Sequence, residues 1–268
     1  MGGIYSKRKE IEGKLLGELP KDARFMLQEL VDTEEKYVTD LTHLCKHHLV
    51  LYRDGKDVPT AIRGRERDLF GNIEGLMLFH RDIFLPKIRI CLKEPAEVGA
   101  CFADHVKDLN QYSQFFQDTA HQDEYFTDTT VKEFFQQITT RLNDVMNLQG
   151  FLMRPFQRLT RYRQLLEGLI KHMDSVLDEK GKENLNFALR LVKYQLRHSN
   201  DLRALALLKG FDGNLAEQGT LLLQEEFFVT DGKSNRKPRR VFLFDQTVII
   251  AKPVGDMNAP FFKYIKVA

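Results

Sequence analysis

Glu34 stands in an apolar row of Leu27, Leu30, Tyr37 or Val38, Leu41 and Leu44, spaced as one face of a helix. A carboxylate there is costly unless a cation pairs with it or it reaches a rim where a partner binds. A glutamate at the stripe's edge, held by a lysine or arginine, is the simpler alternative. Arg154, Arg158 and Arg161 follow i, i+4, i+7 spacing and predict a cationic ridge beside a second apolar stripe. Such a ridge suits an acidic or hydrogen-bonding partner, against the plainer reading of a solvated face. Asn200-Asp201 places two poor helix formers in the last long helix, each costing about half a kcal/mol relative to Ala. They predict an interruption there, either a bend satisfied by local side-chain bonding or a polar contact patch.

None of these groups is spaced for covalent chemistry. Gly232-Lys233-Ser234 resembles the end of a phosphate-binding loop, but that pattern needs Gly five residues earlier, where Phe227 sits. HExxH, GxSxG and GxGxxG are all missing. His43 and His47 are one helical turn apart, a metal-capable spacing. The neighbouring sequence brings no carboxylate or thiolate set, and Cys45 between them points to another face. A solvated face is therefore expected, with no metal, cofactor or catalytic residue.

Two basic stretches bear on membranes. Lys233, Arg236, Lys237, Arg239 and Arg240 lie in a turn-rich loop that would touch anionic lipid, or else is a solvated hairpin tip. Met1-Gly2-Gly3-Ile4-Tyr5-Ser6 fits the myristoylation pattern at Gly2, and Lys7-Arg8-Lys9 would supply the second signal that stable anchoring needs. An ordinary leader is the alternative.

The elements that must position these groups are mostly helices. Apolar spacing near 3.6 runs from about residue 22 to 208 and predicts six long helices. Among them are a stripe over Val98–Phe116, one over Val131–Val145 and one over Phe151–Met173, with Pro86 kinking or ending an earlier helix. Beyond Gly213 short runs such as Val241–Phe244 and Val248–Ala251, between turns, predict a β meander. The expected fold class is α+β: an elongated all-α bundle followed by a partial antiparallel β module. With 55 residues beyond Gly213 that module is thin for an independent core and is expected to be incomplete. Forty basic against 38 acidic residues leave a net charge of +2, which argues against nucleic acid. No apolar window approaches a transmembrane length, and no secretory core follows the basic start. Three cysteines without CxxC spacing point to a reducing, cytoplasmic setting.

Several of these segments carry a resemblance. Arg24 to Leu41 resembles the first conserved region of Dbl-homology domains. Leu152-Met-Arg-Pro-Phe-Gln-Arg-Leu-Thr-Arg-Tyr162, followed by Leu165-Leu166, resembles their third. Phe70–Ile73 through Phe79-His80 and Arg197–Leu202 are similar to further helical regions. Gly210–Gly219 and Arg240–Asp245 resemble the start of an attached pleckstrin-homology domain. The chain thus divides into a leader (1–21), a Dbl-homology helical domain (22–209) and the N-terminal part of a pleckstrin-homology domain (210–268). The resemblance is to the Trio and kalirin family. Val58–Arg67 looks more like their second, Rho-directed module.

The resemblance implies a guanine nucleotide exchange factor for a Rho-family GTPase, RhoA-like rather than Rac- or Cdc42-like. Such a factor grips both switch regions and releases GDP without covalent chemistry. It implies that Glu34 engages switch I, that Arg161 stands where a lysine commonly holds switch II, and that Asn200 and Asp201 contact the GTPase near switch II. Gln157 and Arg158 match the signature but can be structural. A non-catalytic helical scaffold that binds a GTPase or anionic lipid is the alternative. The implied location is cytoplasmic, at the inner face of the plasma membrane where lipid is engaged.

Overall fold

A computed structural model describes residues 19–55, 57–230, 236–255 and 261–267. Gly2 and Lys233 lie outside the described residues. The chain forms two compact units, the first drawing on residues up to 55, 72–112 and 137–196, the second on 57–71, 113–136 and 197–267.

In the first unit, α1 (Lys21–His43) buries Ala23, Leu27, Leu30, Val31, Tyr37, Val38 and Leu41 along one face. Burying each large aliphatic side chain contributes about 1.5–3 kcal/mol. The helix does not stop at His43. A π-type turn (Leu44–Leu49) carries it into α2 (Val50–Asp54), and Gly55 ends it in an extended conformation. A second π-type turn (His80–Phe84) joins α4 (Ile73–Phe79) to α5 (Leu85–Ile90). Pro86 lies in the first turn of α5, and Leu85 N–H bonds back to His80 O, five residues earlier. The wide turn takes up the offset, so the helical path continues where a kink or end was expected. Each π turn holds a fully buried histidine, His48 and His80, and such turns are frequent at functional sites.

The stripe over Val98–Phe116 resolves into three pieces, α6 (Val98–Ala103), α7 (Val106–Leu109) and α8 (Gln111–Asp118). The backbone turns at Asp104-His105 and again at Asn110, and His105 Nδ1 bonds Cys101 O at 2.8 Å. α10 (Thr129–Leu142) ends before Val145, which is fully exposed and outside the stripe. Asn143 stops it in a left-handed conformation (φ 54°). Asn143 N–H then bonds Thr140 O at 3.1 Å and Asp144 N–H bonds Thr139 O at 3.0 Å. This is the paired Schellman closure that an αL residue just past a helix permits. The Phe151–Met173 stripe splits at Met153 into α11 (Leu148–Leu152) and α12 (Arg154–Met173), with Pro155 in the first turn of α12. Among the described residues four helices exceed ten residues: α1, α10, α12 and α13 (Glu179–Ala206). α13 runs unbroken through Asn200-Asp201, so the expected interruption is absent. Leu191, Val192, Ala204 and Leu207 are buried on either side of the pair and outweigh its propensity cost.

The second unit also holds α3 (Glu66–Phe70), α9 (Gln122–Tyr125) and a five-stranded sheet in the order β1-β5-β4-β3-β2. The strands are β1 (Leu208–Lys209), β2 (Leu221–Val229), β3 (Lys237–Phe244), β4 (Val248–Val254) and β5 (Phe261–Val267). β2 to β5 form the antiparallel meander, and β1 pairs parallel to β5. Phe242, Phe244, Ile249, Ala251 and Phe262 form its core with Ala204 and Leu207. β2 has inverted burial along its length. Gln224 is buried while Leu222, Leu223, Phe227 and Phe228 are exposed.

Candidate functional site

α1 and α12 are antiparallel neighbours, a direction fixed by three ion pairs. Arg161 pairs with Glu29, Arg158 with Glu34 at 2.6 Å and Arg154 with Asp40 at 3.0 Å. As α1 advances, α12 retreats. The cationic ridge is therefore not a free surface, because each arginine has an acid from the same chain. The middle rung is fully buried, and the outer two are partly exposed. A groove of about 430 Å³ follows the ladder, lined by Asp32, Thr33, Lys36, Tyr37, Asp40, Gln157 and the three arginines.

Glu34 has no exposed surface. Arg158 Nε donates to its Oε2 at 2.8 Å, and Tyr162 O–H donates to the same oxygen. His80 Nδ1–H donates to Oε1 at 2.7 Å. Arg158 is fixed in turn by Thr33 Oγ1 at 2.7 Å and Leu30 O at 3.2 Å, with its guanidinium 4.0 Å from the Tyr162 ring centroid. His80 Nε2 lies 3.0 Å from the Tyr112 phenolic oxygen, Oη, which is also 3.3 Å from Tyr37 Oη. The stripe thus carries a paired acid, the simpler of the two readings of its spacing, and the pair is central rather than at an edge. His80, Tyr112 and Tyr162 were not singled out from sequence. The available signal was a histidine one residue after Phe79 in an apolar row.

Burial alone would raise the Glu34 pKa, but Arg158 and His80, with the bonds from His80 and Tyr162, lower it from the usual 4.5 to about 2. Burial keeps the Tyr37, Tyr112 and Tyr162 phenols well above their ordinary value, so they remain neutral donors. The sign for stability follows. A carboxylate with a depressed folded pKa stabilises the fold above its unfolded pKa, and that contribution fades as pH falls. We expect the urea-unfolding free energy to drop by a few kcal/mol from pH 5 towards pH 2, and Glu34→Gln to flatten that slope. A wild-type slope that Glu34→Gln leaves unchanged would show that this carboxylate is not the group responsible.

The second unit holds the remaining polar positions. Asn200 is exposed, whereas Asp201 is buried. Gln224 Nε2 donates to Asp201 Oδ1 at 3.1 Å, and Arg240 donates to Gln224 Oε1 at 2.9 Å. Gln224 lies diagonally across the β2–β3 ladder from Arg240, because Glu226 is opposite Arg240. Burial holds the Asp201 carboxyl above its usual range. Of the basic loop, Arg236 and Lys237 are exposed. Arg239 is half-buried and bonds Pro238 O at 2.8 Å, and the Arg240 guanidinium lies 5.0 Å from the Phe262 ring centroid. The structure therefore brings Glu34 and Arg161 onto facing helices and ties Asp201 to the sheet. Two positions, Arg161 and Asn200, have surface to offer.

The chain is a helical Dbl-homology domain followed in sequence by part of the sheet of a pleckstrin-homology domain. The RhoGEF domain family matches residues 26–200, and the chain belongs to that family. An SOS1/NGEF-like PH domain matches residues 215–267. Rho guanine nucleotide exchange factor 25 of Rattus norvegicus is 33% identical over 242 residues, covering 86% of this chain and 40% of that protein. Puratrophin-1 of Homo sapiens is 34% identical over 230 residues, covering 86% of this chain and 19% of that protein. The chain thus spans less than half the length of these relatives. Among solved structures, the linker and DH/PH domains of p115-RhoGEF share the fold, with a TM-score of 0.58 and 16% identity over 91% of this chain and 81% of that one. The DH domain of FARP2 does so with a TM-score of 0.56 and 19% identity over 70% of this chain and 92% of that one.

Proposed function

We propose that this chain is a guanine nucleotide exchange factor for a Rho-family GTPase, acting by binding and without covalent chemistry. The observation that carries this is the RhoGEF match over residues 26–200, which spans the α1–α12 ladder and reaches Asn200. Exchange is then a coupling between two ligands: the factor binds the nucleotide-free GTPase more tightly, and nucleotide affinity falls by the same factor. In this reading Arg161 and Asn200 touch the switch regions directly. Glu34 reaches switch I only by giving up bonds to Arg158 and His80, and Asp201 by giving up Gln224. The engaged form is then the less stable form of the free protein, and part of the binding energy goes into reaching it.

The preferred partner in this reading is RhoA-like, on the likeness of Val58–Arg67 to a Rho-directed exchange module. Release of a fluorescent GDP analogue from RhoA, Rac and Cdc42, side by side, tests both statements. Stimulation greatest on RhoA is expected. A Rac-only profile would overturn the selectivity, and no stimulation of any of the three would leave a non-catalytic scaffold.

The exposed Arg236 and Lys237 support anionic lipid contact by the sheet's basic loop, at about 1 kcal/mol per basic residue near an anionic leaflet. The protein would then work in the cytoplasm at the inner face of the plasma membrane. Neutralising Lys233, Arg236 and Lys237 together is expected to reduce pelleting with phosphoinositide vesicles. Equal pelleting of both proteins removes the loop from this role.

A further inference from the structure

We propose that His43, His48 and Asp144 form a binding site for a zinc-type divalent ion, at a place in the first unit separate from the α1–α12 ladder. In a regular α-helix, residues i and i+5 point about 140° apart. His43 ends α1 and His48 lies in the π-type turn that follows, where the wider turn brings i and i+5 nearly into line. The Schellman closure after α10 delivers Asp144 to the same point. His43 Nε2 lies 2.7 Å from Asp144 Oδ1, and His48 Nε2 lies 2.7 Å from Asp144 Oδ2. All three ligand atoms fall within 4.8 Å of one another.

Zinc bonds of about 2.0–2.1 Å in a tetrahedron place ligand atoms roughly 3.3 Å apart. Opening each 2.7 Å contact by about 0.6 Å, with the Asp144 carboxylate turned to offer one oxygen, would admit the ion. The donor set, two imidazoles and a carboxylate, is one zinc takes. His48 is fully buried, and the Asp144 side chain is 8% exposed. The His43 side chain, at 31%, leaves a path for the ion and for a water as fourth ligand. The Phe151 ring lies 5.3 Å from both imidazoles and closes the site with an apolar wall. Two buried ring nitrogens, His43 Nε2 and His48 Nδ1, lack an aligned hydrogen bond. Direct hydrogen bonding thus leaves the cluster incompletely satisfied, and a metal bond at His43 Nε2 would satisfy one of these atoms. With Nδ1 of His48 unsupported, the site lacks the outer-shell bond that strengthens zinc centres. The bound ion would pin the end of α1 to the turn after α10.

The test uses the tag-free full chain, stripped with chelator and titrated with Zn2+ alone by calorimetry, then with Co2+ by visible absorption. One equivalent of Zn2+ is expected, with a tetrahedral Co2+ spectrum free of a sulfur charge-transfer band. His43→Ala and Asp144→Asn should each weaken uptake at least about 10-fold, with circular dichroism confirming the fold. If Asp144→Asn unfolds, the more exposed His43→Ala decides. No uptake by the wild type, equal uptake by a folded variant, or a sulfur band from the cysteines would each overturn the site.

Discussion

Glu34→Ala is expected to destabilise the helical domain by about 3–5 kcal/mol, the cost of stranding a buried charge whose partner has been removed. Arg158 is 3% exposed and cannot turn to water. Without the carboxylate its guanidinium keeps Thr33 Oγ1 and Leu30 O but carries an uncompensated charge. His80 and Tyr162 lose their acceptor in the same step. The resemblance implies that Glu34 engages switch I, and its complete burial adds a structural cost to removing it. Pairing Glu34→Leu with Arg158→Met removes both charges and should recover much of the loss. Urea unfolding of the two single variants and the double gives the coupling directly. A shift below about 1 kcal/mol for Glu34→Ala would mean the pair is solvated rather than buried.

What the sequence made legible was local. The α1 stripe, the anomaly of Glu34 within it, the change to strands beyond Gly213 and the family signature at Leu152–Tyr162 all rest on spacing within about twenty residues. Partnership was not legible. Arg158 looked like one of three equivalent cations, yet it lies opposite Glu34 and is buried, while Arg154 and Arg161 are not. Which arginine of an i, i+4, i+7 set meets which acid depends on how two helices separated by more than a hundred residues are registered. The π turns were invisible for a related reason. A wide turn accommodates about one extra residue, and a single added residue does not stand out in an apolar count taken at 3.6. So His43 was paired with His47 on regular spacing, whereas the turn brings His48 to Asp144. At Asn200-Asp201 a propensity cost of about 1 kcal/mol predicts a break, but buried neighbours on both sides carry the helix through it. Asp201 accepts its hydrogen bond from a strand residue, Gln224, buried in a position where alternation would place an apolar residue.

The second large effect is expected in exchange and not in stability. Asn200→Ala should cut stimulated GDP release about 30-fold or more, the loss of an interface hot spot worth about 2 kcal/mol. Asn200 is exposed and lies within α13, where alanine is the better helix former, so melting should stay level or rise slightly. Arg161→Ala should lower exchange as well. Its pair with Glu29 is half exposed and contributes at most about 1 kcal/mol to the fold. Arg161→Lys keeps the charge while losing the planar fork. If charge is what the partner's switch region reads, lysine restores most of the rate, and if bidentate geometry is, it does not. These two positions separate a binding role from a folding one in a way Glu34 and Asp201 cannot, since both of those are buried and structurally engaged. Wild-type exchange by a folded Asn200→Ala would remove the end of α13 from the GTPase contact. Loss of exchange in Glu34→Ala alone would then report only a weakened fold.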